Sequence, residues 1–323
     1  MVHLAIDLLG ADTPEEELCR GAVTALRKNP DLYLHLFGHA ARLQPLLAKS
    51  KISVDHYEIV DCPGTVTNED ASLTAYEKKD ASIVRAMQLA KDRADVCGVI
   101  TCGSTGAVLV SAIMILGKIR GMRPVLAVEL QSEDGKPLLL LDCGANIDSR
   151  AELLLSFARL GNAYMKSKGQ DAPRIALLSN GREDTKGCET VKEANALLRA
   201  AEGLHFIGNI EATDALRGET DVIVCDGFHG NILLKSIEGT AKSVLRQLQK
   251  MNMGDGAQAA LDEVYRRYDF NAMGGAVLLG VNKLVMKGHG AAKGDAIANM
   301  IAQAYPLADH GLSDRIRQIY AGA

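Results

Sequence analysis

The sequence predicts an α/β protein built as a three-layer α/β/α sandwich around a mostly parallel sheet. Short apolar runs alternate with helical patterns from one end of the 323-residue chain to the other. Several runs are continuously apolar, as buried parallel strands are when helices cover both faces of a sheet. Turns rich in glycine and polar residues follow several of these runs, which is typical of the ligand-binding edge of a doubly wound sheet.

The apolar and helical patterns define the elements in chain order. The predicted strands are Leu4–Asp7, Leu32–Phe37, Tyr57–Val60, Val96–Thr101, Val125–Leu130, Leu138–Asp142, Arg174–Leu178, Leu204–Ile207 and Val222–Cys225. The predicted helices are Pro14–Arg27, Ser82–Arg93, Thr105–Ile119, Ala151–Lys168, Cys188–Ala201 and Gly230–Lys250. No repeat or Pro/Ser-rich linker divides the chain, so we expect a single domain over residues 1–323.

One region departs from this alternation. A long amphipathic helical pattern runs from Ser236 to Tyr268 and is interrupted at Met253–Gly256. It predicts a helical hairpin arm at about 236–268, bent at the glycine pair. Such an arm either contacts a second copy of the chain or forms a plain surface hairpin, and both interpretations stay open.

The composition of the chain disfavours several classes of protein. Lys and Arg number 36 against 40 Asp and Glu, a formal charge of −4, so no overall basic field attracts nucleic acid. No apolar stretch approaches the ~20 residues of a membrane-spanning helix. The opening MVHLAIDLLG lacks the pattern of an export signal, so a cytoplasmic protein is expected. The seven cysteines form no CxxC pair and no zinc-site spacing, so no metal site is expected.

Two predicted turns carry backbone amides and polar side chains suited to an anion, because glycine lets successive amides close around a charge. The turn after Val96–Thr101 contains Gly103, Ser104, Thr105 and Gly106. The turn after Val222–Cys225 contains Asp226, Gly227, His229, Gly230 and Asn231. Imidazole is also the side chain that exchanges protons near neutral pH. A plain capped turn is the alternative in both places.

Three further turns carry candidate residues. Asn180 and Lys186 lie in LLSNGREDTKGCE, where a lysine beside a helix N-terminus presents positive charge to an anionic substrate. Lys287 and His289 lie in a Lys-Gly-His-Gly turn that supplies charge and a proton donor. Asn146 lies in LLLLDCGANID, where a hydrogen-bonded turn is favoured over a metal site because a second ligand cluster is lacking. Solvated lysines and ordinary loops are the alternatives.

The five turns together are harder to explain as loops than any one alone, because they are placed consistently at the ends of apolar, strand-like runs. The chain lacks the GxSxG, GxxxxGK[ST], GxGxxG and HExxH patterns. Hydrolase triads, ATP-driven chemistry and dinucleotide binding are therefore disfavoured.

In their order and spacing these residues resemble a known family. The segments AIDLLGAD, CGSTGA, ILGKIRGMRPVLA, LLLDCGANID, EDTKGCE, VCDGFHGNILLKSIEG, GGAVLLG and KGHG are similar to those of the bacterial phosphate acyltransferases of phospholipid synthesis (PlsX type). The resemblance covers nearly the whole chain. It implies conversion of fatty acyl-[acyl carrier protein] and inorganic phosphate to acyl phosphate. It also implies a homodimer, no cofactor, and a fold related to the isocitrate and isopropylmalate dehydrogenases and to phosphotransacetylase.

Carried over to this chain, the resemblance makes Lys186 the essential lysine. Phosphate is then expected among the amides of the GSTG and GFHGN turns, where one oxygen attacks the thioester carbonyl and Lys186 or the amides stabilise the oxyanion. His289 is expected to serve as a second catalytic residue. The chain departs from the family pattern in LLGADTPEE near its start, in Ser104 of the GSTGA segment, and in His229, where the family usually has threonine.

The resemblance also suggests partners. An acidic acyl carrier protein needs a basic surface, which either Lys118, Arg120 and Arg123 or Arg246, Lys250, Arg266 and Arg267 would supply, although scattered solvated charges are the alternative. A peripheral membrane contact is a further expectation. Two other functions stay open: a short-chain phosphotransacylase that uses coenzyme A, and a paralogue that binds acyl groups or phosphate without turnover. A decarboxylating dehydrogenase is less favoured, because no arginine-rich substrate motif is present.

Overall fold

The computed structural model describes residues 1–67, 70, 72–251, 261, 263, 264, 267, 268 and 274–321. The chain divides into two compact units. Unit 1 comprises Met1–Pro124 and Gly274–Gln318, and unit 2 comprises Val125–Met273 and Ile319–Ala323. Unit 1 is therefore assembled from two separate segments, whereas nearly all of unit 2 is continuous in sequence. The expectation of a single domain with a helical arm stays a prediction.

Strands and helices alternate along the chain. The strands are β1 (Val2–Asp7), β2 (Leu32–Gly38), β3 (Tyr57–Asp61), β4 (Val96–Thr101), β5 (Val125–Gln131), β6 (Pro137–Leu141), β7 (Arg174–Leu178), β8 (His205–Ile210), β9 (Val222–Val224), β10 (Ala276–Leu279) and β11 (Leu284–Lys287). The helices are α1 (Glu15–Lys28), α2 (Ala40–Ser50), α3 (Ser82–Asp92), α4 (Thr105–Ser111), α5 (Ala151–Ser167), α6 (Glu189–Ala200), α7 (Gly227–Lys250), α8 (Gly294–Asp309) and α9 (Leu312–Ala321). A π-helical turn, Ala112–Leu116, extends α4.

The strands of unit 1 lie in the order β3-β2-β1-β4-β11-β10. Neighbouring strands from β3 to β11 are parallel, and β10 runs antiparallel to β11. Strands β1, β2 and β4 are buried over most of their length, which explains their continuously apolar sequences. Because the strands are parallel, the loops that follow β1, β4 and β11 all lie at one edge of the sheet.

Helices pack against the sheet of unit 1 in two groups. Helix α1 packs against α8, and α3 packs against α4, while both α3 and α8 contact β1 and β4. Right-handed crossovers in this strand order place the two groups on opposite faces. The α1–α8 crossing is close: a Cβ added to Gly21 would overlap the carbonyl oxygen of Gly294. Glycine at this position therefore lets two helix backbones approach each other.

The strands of unit 2 lie in the order β5-β6-β9-β7-β8. Strands β6, β9, β7 and β8 are parallel, and β5 pairs with β6 as an antiparallel hairpin. The hairpin turn contains Gly135 at φ +78°, a left-handed conformation that favours glycine. Helices α5 and α6 pack together over this sheet. The core is made of fully buried leucine, isoleucine and valine side chains from β6, β7 and β9.

The α/β class with a mostly parallel sheet, predicted from the sequence, is confirmed. All nine predicted strands are present, with ends that differ by a few residues at most. Strands β10 and β11 and helices α2, α8 and α9 were not predicted. Helix α7 contains the first part of the expected arm, up to Lys250. The expected bend at Met253–Gly256 lies outside the described residues.

Candidate active site

In unit 1, the last residue of each of three neighbouring parallel strands is polar. Asp7 ends β1 and Lys287 ends β11, and both are in register with Thr101 at the end of β4. Asp7 is buried, and its Oδ2 accepts a 2.7 Å hydrogen bond from Thr101 Oγ1. Its Oδ1 accepts from Ser82 Oγ at 2.6 Å and from Leu9 N at 3.1 Å. Burial raises the pKa of Asp7, and these donors oppose the rise. Asp7 therefore ties the loop after β1 to α3 and β4.

The turn after β4 leads directly into α4. Ser104 is the N-cap of that helix, and its Oγ accepts a hydrogen bond from Ala107 N at 3.4 Å. Within the described part of the chain, the amides of Thr105 and Gly106 have no acceptor. Gly103 N donates to the threonine hydroxyl that ends β4, at 3.0 Å. The turn thus has two amides without an acceptor among the described residues, and its role in binding an anion stays a prediction.

The turn after β11 is held against β4. Gly288 N donates to Thr101 O at 2.8 Å, and Lys287 Nζ donates to the carbonyl oxygen of Gly288. His289 is exposed, and its Nδ1 lies 3.1 Å from Ala291 N, which donates to it. The neutral ring then carries its proton on Nε2. This tautomer suits the predicted role of His289 as a proton donor.

The loops after β1, β4 and β11 touch one another. Asp12 N donates to Gly290 O at 2.8 Å. A Cβ on Gly10 would lie 3.0 Å from Gly103 N, so glycine is needed where the first two loops meet. Burial raises the pKa of Cys102 to about 12, so this thiol stays protonated and is a poor nucleophile. The edge of unit 1 therefore offers amides, a lysine and a histidine rather than a reactive thiolate.

In unit 2, a buried carboxylate organises the loop after β6. Asp142 Oδ1 accepts hydrogen bonds from Leu126 N, Gly144 N and Ala145 N at 3.0, 3.1 and 3.0 Å. Its Oδ2 accepts from the backbone and side-chain nitrogens of Asn146 at 2.6 and 2.9 Å. Burial raises the pKa of Asp142, against the effect of these donors. The loop is a hydrogen-bonded turn, as the sequence favoured.

This loop supports the beginning of α7. Gly227 N donates to Asn146 O at 2.7 Å. A Cβ added to Gly230 would overlap the carbonyl oxygen of Asp142 and lie 2.8 Å from Cys225 Sγ. Only glycine lets the first turn of α7 pack this closely. Asn146 therefore acts through its backbone as well as its side chain in positioning the helix.

The first turn of α7 carries an aspartate–histidine pair. Asp226 is the N-cap, and its Oδ1 accepts from His229 N at 2.8 Å. His229 Nδ1 lies 2.8 Å from both carboxylate oxygens. Gly230 N donates to Asp226 O at 3.0 Å. Among the described residues, the amide of Phe228 has no acceptor, and the side chain of Asn231 has no hydrogen-bond partner. The turn offers fewer amides to an anion than the sequence suggested.

The candidate lysine lies in the loop after β7. Gly187 N donates to Asn180 Oδ1 at 2.8 Å, and Lys186 N donates to Glu183 O at 3.0 Å, so the loop is closed on itself. The Lys186 side chain lies over Gly181, where a Cβ would come within 2.6 Å of its Cγ. Lys186 is exposed, and its Nζ forms no hydrogen bond or ion pair with any described residue. Its ammonium group is therefore available to a ligand.

The three loops of unit 2 follow neighbouring strands at one edge of its sheet. Leu141, Val224 and Leu177 are in register across β6, β9 and β7. The loops that begin at Asp142, Cys225 and Ser179 therefore start close together. This edge gathers Asn146, Asn180, Lys186 and the first turn of α7. Gly103, Ser104, Thr105, Gly106, Lys287 and His289 are gathered separately at the corresponding edge of unit 1.

The structure adds Asp7 and Thr101, which the sequence did not single out as part of the site, and gives a structural role to Asp142, whose turn it did single out. Asp7, Thr101 and Asp142 each end or follow a buried strand and hold the adjacent loop by hydrogen bonds. The signal was present in the sequence, because an acid or hydroxyl at the end of an apolar run is buried beside backbone amides that need an acceptor. These residues hold the loops in position.

The first predicted basic patch lies away from the loops of unit 1. Lys118 forms an isolated bridge with Val281, and Ile119 N donates to Gly280 O at 3.0 Å. Residues 280–283 precede β11, and Leu284 is in register with Gly98 near the beginning of β4. The patch therefore lies at the opposite edge of the sheet. Arg266 of the second predicted patch is outside the described residues.

Two features are missing from the part of the chain that the structure describes. In that part of the chain, no group of three or more histidine, cysteine, aspartate or glutamate side chains is arranged to hold a metal ion. None of the helices in the same part is both long and apolar enough to cross a membrane.

The sequence matches a family model over nearly its whole length. Residues 2–315 match the model described as "Fatty acid synthesis protein". The chain belongs to this family. It is 39% identical over 316 residues to a phosphate acyltransferase of Geobacillus thermodenitrificans, covering 94% of each chain. It is 38% identical over 334 residues to one of Halalkalibacterium halodurans, covering 100% of this chain and 97% of the relative. The predicted family and the predicted class of enzyme, an acyltransferase, are confirmed.

Solved structures share the fold at low sequence identity. A phosphotransacetylase from Streptococcus pyogenes matches with a TM-score of 0.64 and 18% identity, over 95% of this chain and 94% of that one. A 4-hydroxythreonine-4-phosphate dehydrogenase from Salmonella typhimurium matches with a TM-score of 0.55 and 17% identity, over 95% and 99%. The predicted relationship of the fold to phosphotransacetylases and to a dehydrogenase is confirmed.

Proposed function

We propose that this acyltransferase forms acyl phosphate from fatty acyl-[acyl carrier protein] and inorganic phosphate. The observation that carries the proposal is the available ammonium group of Lys186, on a closed loop that follows β7, the neighbour of the strand β9 that leads into α7. An ammonium group in that position attracts both inorganic phosphate and the oxyanion that forms when phosphate attacks a thioester.

The edge of unit 2 supplies the groups for this chemistry. Lys186 compensates the charge of phosphate and stabilises the tetrahedral oxyanion, a role in which one donor typically contributes ~10²–10³ in rate. Asn180 closes the lysine loop, and Asn146 supports the first turn of α7. Asn231 and Gly227 belong to that turn, where Asn231 has a side-chain amide for a phosphate oxygen. A thiolate leaves readily, so holding phosphate and thioester in position accounts for the remaining acceleration.

The edge of unit 1 has binding groups of its own. The amides of Thr105 and Gly106 and the ammonium of Lys287 suit an anionic group of a substrate, and His289 Nε2 suits a proton donor. Gly103 and Ser104 shape that turn, the first by close packing and the second by capping α4. We assign these residues to the binding of a substrate.

The family points to an acyl carrier protein as the acyl donor, since its model describes fatty acid synthesis proteins. We therefore propose the carrier protein over coenzyme A, and a homodimer as the working form. Coenzyme A remains the second candidate donor, because structurally similar proteins include a branched-chain phosphotransacylase from Enterococcus faecalis. A cytoplasmic location and a peripheral membrane contact stay predictions.

An assay of acyl phosphate formation tests the proposal. Purified protein is incubated with phosphate and with long-chain acyl carrier protein, acyl-CoA of the same chain length, or butyryl-CoA, and the acyl phosphate is trapped as a hydroxamate. We expect product with the acyl carrier protein at a kcat/KM well above that with either coenzyme A thioester. Equal or higher kcat/KM with butyryl-CoA would instead assign the chain to the short-chain phosphotransacylases.

A variant pair tests the role of Lys186. Lys186→Ala is expected to lower kcat/KM by ~10²–10³, because it removes the ammonium group without filling a buried space. Lys192→Ala is the matched control, since Lys192 is an exposed lysine on the next helix, α6. Near-normal turnover by Lys186→Ala, with a melting temperature equal to that of the control, would rule out the assigned role.

A further inference from the structure

The Asp226–His229 pair has a defined proton arrangement. A carboxylate accepts hydrogen bonds and donates none, so His229 Nδ1, at 2.8 Å from Asp226 Oδ1 and Oδ2, carries a proton. The neutral ring then has its lone pair on Nε2. The side chain of His229 is 62% exposed, so solutes reach the ring. An aspartate that fixes the tautomer of a reachable imidazole is the arrangement that makes histidine a general base.

Most of the backbone amides at this turn are already bonded, and among the described residues only that of Phe228 is left without an acceptor. Gly227 N is bonded to Asn146 O, His229 N to Asp226 Oδ1, and Gly230 N to Asp226 O. The beginning of α7 therefore offers a phosphate oxygen one backbone amide and the exposed ring of His229, rather than a set of available amides. The turn has the chemistry of an oriented base more than that of an amide-lined anion pocket.

We propose that His229 is a catalytic base in this chain, with Asp226 as its positioning residue. The inference rests on the proposed function. In the step, an oxygen of monohydrogen phosphate bonds to the thioester carbonyl carbon, and the phosphate proton goes to His229 Nε2. The C–S bond breaks, with its electron pair leaving on sulfur. The imidazolium then returns the proton to the thiolate, which gives acyl phosphate, a free thiol and neutral His229.

The aspartate has two effects on this step. It keeps the proton on Nδ1, so that Nε2 is always the accepting nitrogen of the neutral ring. Its negative charge also stabilises the imidazolium that forms when the phosphate proton arrives. Removing Asp226 therefore weakens the base without removing it, whereas removing the ring abolishes the proton transfer.

Steady-state kinetics with phosphate as the varied substrate tests the inference. His229→Gln keeps a polar side chain of similar length but offers no basic nitrogen, and we expect kcat to fall by about a hundredfold or more. The KM for phosphate is expected to change little. His205→Gln is the matched control, because His205 is an exposed histidine on β8. Asp226→Asn is expected to give an intermediate loss of kcat.

Chemical rescue separates a base from a structural group. His229→Ala leaves space at an exposed position, so added imidazole is expected to restore kcat in proportion to its concentration, with no effect on wild type or on His205→Gln. An active wild-type protein with unchanged kcat in His229→Gln overturns this inference alone. So does a loss in His229→Ala that imidazole does not rescue while the melting temperature is unchanged. A wild-type protein that forms no acyl phosphate from any donor overturns the proposed function and this inference together.

Discussion

Replacement of Asp142 by alanine should destabilise unit 2 by a predictable amount. Of the groups that donate to Asp142, the backbone amide of Leu126 and both nitrogens of Asn146 belong to buried residues. A buried donor left without an acceptor costs about 1–3 kcal/mol. The variant also removes a buried charge, which the raised pKa of Asp142 shows to be unfavourable. Three such donors together cost about 3–9 kcal/mol, and removal of the buried charge offsets part of this, so we expect a net loss of about 3–4 kcal/mol.

Differential scanning calorimetry measures this loss. A unit of this size loses about 2–4 °C of melting temperature per kcal/mol, so Asp142→Ala should lower the melting temperature by roughly 6–16 °C. Asp142→Asn should lower it less, because the amide keeps one acceptor oxygen for one set of donors. Asp148→Ala, an exposed acid on the same loop, is the control and should stay within about 2 °C of wild type. If Asp142→Ala had the same melting temperature as that control, the carboxylate would not organise the loop.

Two other predictions concern packing and pH. Gly230→Ala should lower the free energy of unfolding by at least ~1–3 kcal/mol, because its methyl group would overlap the carbonyl oxygen of Asp142. Urea unfolding measures this loss, and a midpoint unchanged from wild type would contradict the close packing. Burial lowers the pKa of His35, with Glu58 opposing the shift, so the unfolded chain binds more protons than the folded one as the pH falls below about 6.5. The contribution of His35 to the free energy of unfolding should therefore be complete above that pH and decline below it by at most ~1.4 kcal/mol per pH unit. Thermal melts at pH 7.5 and 5.5 measure this, and His35→Asn should lose part of the acid sensitivity.

The strand predictions were correct where burial on both faces of the sheet makes a run continuously apolar, as in Val96–Thr101. Strands β10 and β11 were missed because each has four residues and the connection between them carries no hairpin signal. Their turn instead uses Gly280 at φ +88°. Helix α2 was missed because Pro45 lies inside it, and proline in a helical pattern normally indicates an end.

The candidate site was predicted as a set of loops, and most of the loops are where the strand pattern placed them. The pairing of His229 with Asp226 was not predicted, because three residues of separation specify a contact only once the first turn of a helix is known. Nor does the pattern reveal that Asp142 uses both oxygens to hold one loop, since that depends on the path of the backbone after β6. Local sequence identifies which groups are present; the tertiary fold decides which of them remain available to a ligand.

The two-segment origin of unit 1 has a consequence for biosynthesis. Strand β4 cannot pair with its neighbour β11 until the ribosome has made residue 287. Until then, the strands made from the first segment of unit 1 have an unpaired edge at β4. At the usual ~5–20 residues per second, the interval between the two strands is on the order of ten to forty seconds. The main segment of unit 2, Val125–Met273, is synthesised within that interval and has the opportunity to fold first. A nascent chain stalled before β11 should therefore resist protease in its middle while its first 124 residues are still cleaved.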